Sequence, residues 1–170
     1  MTFWRTIFLM TGLLSMALSA GPAQAKEKTT LGKSGYPIPR YVSLARDTVN
    51  VRTGPDGKYP IIWVFKKAGL PVKVIGEYQD WRKIVDSEGA QGWIWGPLLS
   101  SKRTALIINE EQALLKNPAK DEPVAVIAES GVIGKIRKCT DGWCELDVDG
   151  FKGWLEQPDF WGTLDGEILD

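Results

Sequence analysis

Two cysteines carry the most reactive side chains of this chain, and they lie close together in the segment "CTDGWC", residues 139–144. Asp-Gly is a strong two-residue hairpin turn, so Cys139 should lie directly opposite Cys144. Directly opposed residues have Cα atoms about 4.5 to 5.5 Å apart, within the range of a disulfide bond. The spacing predicts a disulfide that staples one hairpin. The alternative, a reactive thiol or redox site, lacks the Cys-x-x-Cys spacing.

The chain contains no histidine. This excludes Ser-His-Asp and Cys-His catalysis and nearly all structural zinc patterns. An enzyme would have to use carboxylates, lysine or tyrosine. Near the cysteines, four acids follow a strand pattern and miss the positions of an EF-hand calcium loop: Asp141, Glu145, Asp147 and Asp149. We therefore predict no catalytic residues, no metal and no cofactor.

The first 25 residues have the pattern of a secretory signal peptide. Arg5 precedes an apolar run from Ile7 to Leu18, and an Ala-x-Ala site ends at Ala25. The apolar run is shorter than the ~20 residues that a membrane-spanning helix needs. We expect cleavage after Ala25, a mature form without a stable membrane span, and a periplasmic or secreted location. Such compartments are oxidising, which favours the disulfide.

The rest of the chain has the pattern of short β-strands. From Tyr41 onward the chain consists of short apolar runs separated by Gly-, Pro- and Asp-rich turns, with no sustained helical period. One pattern occurs twice, because Trp81 and Trp93 correspond to Trp143 and Trp154 about sixty residues later. This repeat predicts an all-β fold made of two tandem modules.

The first copy resembles the bacterial SH3-like (SH3b) domain. The resemblance rests on "VNVRTGP", "YPII", "GLPVKVI", a Trp and a later Gly-Trp pair. The whole arrangement is similar to secreted bacterial proteins with two such domains. It implies two small barrels that bind cell-wall peptides or proteins. The predicted division is a signal peptide at 1–25, a flexible lead-in at 26–40, a first barrel at 41–101 and a divergent second barrel at 102–166.

A binding surface is expected on the first module. Trp81 and Ile84 are three residues apart, so an unbroken strand places them on opposite faces, and Trp81 points outward if Ile84 is core. Arg52 and Tyr59 flank the turn "TGPDGKYP" and offer a cation and a phenol to a peptide. SH3 domains generally bind extended peptides in aromatic grooves. We predict a ligand site at Arg52, Tyr59, Trp81 and Trp93; the alternative is that these residues only fold the barrel.

The second copy lacks part of this pattern, since it has Lys116-Asn117-Pro118 where the first has Arg-Thr-Gly-Pro. The charges differ as well. Residues 26–101 contain 12 basic and 7 acidic side chains, and residues 102–170 contain 8 basic and 14 acidic ones. The positive excess of the first half, 12 − 7 = +5, suits an anionic partner.

These features predict a non-catalytic, exported binding or targeting protein that recognises cell-wall (peptidoglycan) peptides or an envelope protein. Nucleic acid is not an expected partner, because export and balanced charge argue against it. Two alternatives stay open. One is a structural or assembly protein of the cell envelope, and the other is a carboxylate-based cell-wall hydrolase.

Overall fold

The structure, a computed structural model, describes residues 29–108 and 110–170. The predicted cleavage site after Ala25 lies outside the described residues. Within them, no helix is long and apolar enough to cross a membrane. The described part of the chain contains fifteen strands and two 3₁₀ helices, Gly96–Leu98 and Gln157–Asp159. The strands are β1 Thr30–Leu31, β2 Pro37–Ile38, β3 Arg40–Leu44, β4 Val49–Arg52, β5 Ile61–Phe65, β6 Pro71–Tyr78, β7 Trp81–Val85, β8 Gln91–Trp95, β9 Leu99–Ser100, β10 Thr104–Leu106, β11 Gln112–Leu115, β12 Val124–Ala128, β13 Ile133–Thr140, β14 Trp143–Val148 and β15 Phe151–Glu156.

Each sequence repeat forms its own antiparallel sheet. The first has the order β5-β4-β8-β7-β6-β3-β9, and the second has the order β10-β13-β14-β15-β11-β12. The longest hairpin of each repeat is interrupted at the same place. The register shifts between Val74 and Gly76 in the first sheet and between Ile136 and Lys138 in the second. The all-β prediction is confirmed, and the repeat extends to the irregularities of strand pairing.

The alternation of residues along the strands explains the two cores. In β4, Val49 and Val51 are fully buried, whereas the intervening Asn50 and the following Arg52 lie on the other face. Burying an aliphatic side chain of this size stabilises a fold by about 1.5 to 3 kcal/mol. The first core consists of Leu44, Val49, Val51, Val72, Val74, Ile84 and Ile94. The second is built around Leu114, Ile136, Leu146, Leu155 and the two cysteines.

Cys139 and Cys144 form a disulfide across the β13–β14 hairpin, with their Cα atoms 4.1 Å apart. Both side chains belong to the core of the second module. At the equivalent position of the first module, Glu77 pairs with Arg82, and its carboxylate lies 3.3 Å from the Arg82 Nε. The two equivalent hairpins are thus held in different ways, by a disulfide bond in the second module and by an ion pair in the first.

Replacing both cysteines with serine is expected to lower the free energy of unfolding of the second module by about 2 kcal/mol, because the closed loop is short. The first module should keep its stability. Urea denaturation of the variant and of the reduced wild type, followed by Trp fluorescence, measures both effects. Freely alkylated thiols in the exported protein, or unfolding curves that reduction leaves unchanged, would contradict this assignment.

The two modules are in direct contact. The indole N–H of Trp161 donates a hydrogen bond to the Pro71 carbonyl at 3.2 Å, and its ring lies edge-on to Tyr41 at 5.0 Å between centroids. The Thr104 hydroxyl donates to the Gly69 carbonyl at 2.7 Å. The second module uses chain beyond the predicted boundary at residue 166, because Leu169 bridges to Cys139.

The predicted lead-in carries structure of its own. Its described part, residues 29–40, contains the β1–β2 hairpin, which lies against Glu77 through the N–H and the hydroxyl of Ser34 at 2.8 and 2.7 Å. The flexibility expected of this segment stays a prediction.

A candidate binding cleft on the first module

The outward face of the first sheet carries two cross-strand rows of side chains. Paired residues share a face, so one row joins Arg52, Trp93 and Lys83. The neighbouring row joins Trp95, Trp81 and Tyr78. This face therefore concentrates three indoles, a phenol and two cations.

A cleft of about 220 Å³ opens between these rows, lined by Asn50, Arg52, Trp81, Trp95 and Leu98. Ile84 is fully buried, whereas Trp81 is half-buried and lies outside the core. Strands β7 and β8 pair without a bulge. The alternation of side chains along β7 therefore places Trp81 and Ile84 on opposite faces of the sheet, as predicted from their spacing. The structure thus brings Arg52 and Trp81 into one cleft.

Trp95 is the aromatic residue of this cleft that was not predicted from the sequence; Asn50 and Leu98 were not predicted either. The Trp95 side chain is 46% exposed, a high fraction for tryptophan. The signal was present, because Trp95 is two residues after Trp93 and must share its face in an unbroken strand. Trp93 itself lies on that face beside Arg52 but does not line the cleft.

Tyr59 lies next to the cleft. The Arg52 Nη1 donates to the Tyr59 carbonyl at 2.7 Å, which ties the guanidinium to the turn. The Tyr59 ring covers Gly54, where a Cβ would come within 2.7 Å of the ring carbons, so a larger residue at this position would displace the ring. The ring remains 39% exposed, and the Lys58 ammonium lies 5.8 Å from its centroid. Tyr59 therefore extends the cationic and aromatic surface beyond the cleft.

The second module has a cleft at the equivalent place with different chemistry. Leu115 takes the position of Arg52, because each is the cross-strand partner of the Trp in the Gly-Trp pair of its module. Glu156 takes the position of Trp95, because each is the cross-strand partner of the first Trp of the repeat. A space of about 370 Å³ there is lined by Trp143, Glu156, Asp159 and Lys120 among others. Burial, together with the nearby Glu156 charge, raises the pKa of Asp159 above its usual value. Only the first of these two clefts combines an arginine with paired indoles.

A larger cavity of about 420 Å³ lies beside Arg40 and Arg82, and it was not predicted from the sequence. Its charged lining residues are Arg40, Arg82 and Asp80. Behind the two arginines, the Glu77 side chain is only 2% exposed and lies 2.9 Å from the Arg40 Nη2. Burial alone would raise the pKa of Glu77, but hydrogen bonds from Ser34 and Arg40 and the charge of Arg82 outweigh it and lower the pKa to about 2. The carboxylate is therefore held ionised.

Comparison with protein families identifies the modules. The bacterial SH3 domain family matches residues 45–101 and again residues 109–162. The two matches together cover more than half of the chain, which therefore belongs to the bacterial SH3 domain family. The predicted tandem of bacterial SH3 domains is confirmed. A comparison with curated proteins gave no match.

Among solved structures, the chain is similar to NlpC1 from Trichomonas vaginalis, with 13% identity and a TM-score of 0.33, over 83% of this chain and 51% of the other. NlpC2 from Trichomonas vaginalis has 14% identity and a TM-score of 0.33, over 74% and 48%. An NlpC/P60 family protein from Bacillus cereus has 12% identity and a TM-score of 0.33, over 74% and 57%. The chain spans about half the length of each of these proteins.

Proposed function

We propose that this protein is an exported, non-catalytic binding protein that recognises peptidoglycan peptides through the cleft of its first module. The observation that carries the proposal is the combination of the Arg52 guanidinium with the indoles of Trp81 and Trp95 in one open cleft. The same position in the second module has an apolar residue and an acid instead.

The chemistry of the cleft suits a peptide that carries carboxylates. A guanidinium forms strong, charge-assisted hydrogen bonds with carboxylates, and indole rings offer flat apolar surface to an extended chain. The positive excess of the first half of the mature chain would draw an anionic wall toward this module. Since exposed charges are screened by salt, binding should weaken as ionic strength rises.

Cosedimentation of the mature chain with purified cell-wall sacculi tests the proposal. Arg52→Ala is expected to weaken retention about tenfold, because it removes charge-assisted hydrogen bonds. Tyr59→Ala should weaken it less, and both variants should keep nearly the melting temperature of the wild type. Lys66→Ala is the matched control, because it removes one exposed positive charge from the end of β5, away from the cleft-lining residues.

Retention of Arg52→Ala equal to that of the wild type, or a wild-type chain that stays in the supernatant at low salt, would contradict the wall-peptide proposal. A loss of retention in Lys66→Ala as large as in Arg52→Ala would show general charge attraction in place of recognition by the cleft.

One observation favours a second candidate, a carboxylate-based hydrolase. Glu156 and Asp159 line the same cleft beside Trp143, and the pKa of Asp159 is raised. Glycosidases combine a carboxylic acid of raised pKa with a second carboxylate. Release of soluble fragments from dye-labelled sacculi, lost in Glu156→Gln and in Asp159→Asn, would support this candidate. Our proposal predicts no release.

A further inference from the structure

Each module ends in an edge strand that carries exposed apolar side chains. In the described part of the chain, β5 and β12 are the outermost strands of their sheets, so each pairs with one neighbouring strand. In β5, Ile61 and Ile62 are 46% and 48% exposed, and in β12, Val124 and Ile127 are 50% and 59% exposed. An edge of this kind offers backbone donors and acceptors to a further strand.

The two edges occupy equivalent places in the two modules. The Pro60 carbonyl, just before β5, accepts from the Thr53 N–H at 3.1 Å. The Pro123 carbonyl, just before β12, accepts from the Lys116 N–H at 2.9 Å. The register then shifts near the start of both strands. Because a bulge disrupts pairing locally, regular pairing with another strand is confined to the last residues of each edge.

The charges around the two edges are opposite in sign. Residues 56–67, around β5, contain three lysines and one aspartate, a net charge of 3 − 1 = +2. Residues 120–129, around β12, contain one lysine and three acids, a net charge of 1 − 3 = −2. Lys67 donates to the Gly131 carbonyl of the same chain at 3.0 Å. The exposed charges that flank the two ends of each strand are Lys58 and Lys66 for β5, and Asp121 and Glu129 for β12.

These charges favour one way of pairing the edges. In an antiparallel pair, the start of one strand lies beside the end of the other. Two β5 edges would place Lys58 of one copy beside Lys66 of the next, and two β12 edges would place Asp121 beside Glu129. Like charges at opposed positions destabilise such pairs. Pairing of β5 with the β12 of another copy instead places Lys58 beside Glu129. It also places Lys66 beside Asp121.

We propose that copies of this chain associate head to tail, by antiparallel pairing of β5 of one copy with β12 of the next. The charges that attract these two edges also repel the β5–β5 and β12–β12 pairs, and specific interfaces combine both effects. Each copy has one edge of each kind, so the contact builds chains or closed rings. A short contact is typical of weak, transient association. The proposal does not depend on the wall function, because neither edge strand lines the cleft of Arg52 and Trp81.

Sedimentation velocity of the mature chain over a range of concentrations tests this proposal. The average mass of the wild type should rise with concentration, and less so at high salt, because exposed ion pairs are screened. Lys58→Glu should weaken association about fivefold, and so should Glu129→Lys, because each turns an attractive pair into a repulsive one. The variant with both changes should return to nearly the wild-type affinity, since the pair is restored with its signs exchanged.

Glu88→Lys is the matched control, because it makes the same charge reversal as Glu129→Lys at an exposed residue in the turn between β7 and β8. It should leave association unchanged. Four results would overturn the proposal: a wild type that stays monomeric at millimolar concentration, equal losses in Glu88→Lys and Glu129→Lys, a double variant that does not recover, or stronger association of Lys58→Glu. The last of these would mean that β5 pairs with β5, where replacing a lysine removes a repulsion.

Discussion

Glu77→Ala is expected to lower the free energy of unfolding of the first module by about 3 kcal/mol. The Glu77 side chain is 2% exposed and accepts from the N–H and hydroxyl of Ser34 and from the Arg40 guanidinium. The Arg82 Nε lies 3.3 Å from the same carboxylate. Removing it leaves two largely buried guanidiniums without their anion, and a buried charge that loses its partner is strongly destabilising.

Urea denaturation followed by Trp fluorescence measures this loss. Glu77→Gln keeps the shape and should fall between the wild type and Glu77→Ala. Glu88→Ala is the control, since it removes an exposed glutamate from the same module and should change the stability by less than about 0.5 kcal/mol. If Glu77→Ala unfolds at the same urea concentration as Glu88→Ala, the ion-pair network does not hold the end of the first barrel.

The same network predicts a dependence of stability on pH. The folded pKa of Glu77 is about 2, below its ordinary value of 4.5. For a carboxyl group with a lowered folded pKa, the stabilisation is fully present above the unfolded pKa and is lost as the pH falls toward the folded pKa. The first module should therefore lose stability between about pH 4.5 and pH 2, and Glu77→Gln should remove this part of the loss.

Trp81→Ala is expected to weaken retention on sacculi at least tenfold while the first module stays folded. The indole lines the cleft, and aromatic side chains at the centre of a binding surface carry a large share of binding energy. The stability cost should be about 1 kcal/mol, below the 3 to 5 kcal/mol of removing a core tryptophan, since Trp81 lies outside the core. Trp95→Ala should act in the same way.

The repeat supplies a matched control. Trp143 is the equivalent of Trp81 in the second module, where it lies beside Glu156. Trp143→Ala should leave retention intact, because the proposed site is confined to the first module. Unfolding of the first module by Trp81→Ala would place this indole in the core, and equal losses from Trp81→Ala and Trp143→Ala would assign binding to both modules.

Much of the fold follows from local rules that are readable in the sequence. The position of Trp81 relative to Ile84 depends only on strand alternation, and that of Cys139 relative to Cys144 depends only on a two-residue turn. Trp95 could have been found by the same rule of alternation. These residues act within one hairpin or one strand, so that spacing is sufficient to place them.

The ion-pair networks could not be read from spacing. Arg40 and Glu77 are 37 residues apart, and Arg103 and Glu167 are 64 apart. Each pair forms because strand order brings distant segments to the end of a barrel, and no short motif signals such a contact.

NMR of the mature chain with ¹⁵N-labelled tryptophan indoles, titrated with soluble peptidoglycan peptides, tests the central claim most directly. The indole signals of Trp81 and Trp95 should shift together and in proportion to bound ligand, and Arg52→Ala should need about tenfold more ligand to reach the same shifts. Shifts confined to Trp143 and Trp161, or an unchanged spectrum, would contradict recognition by the cleft of the first module.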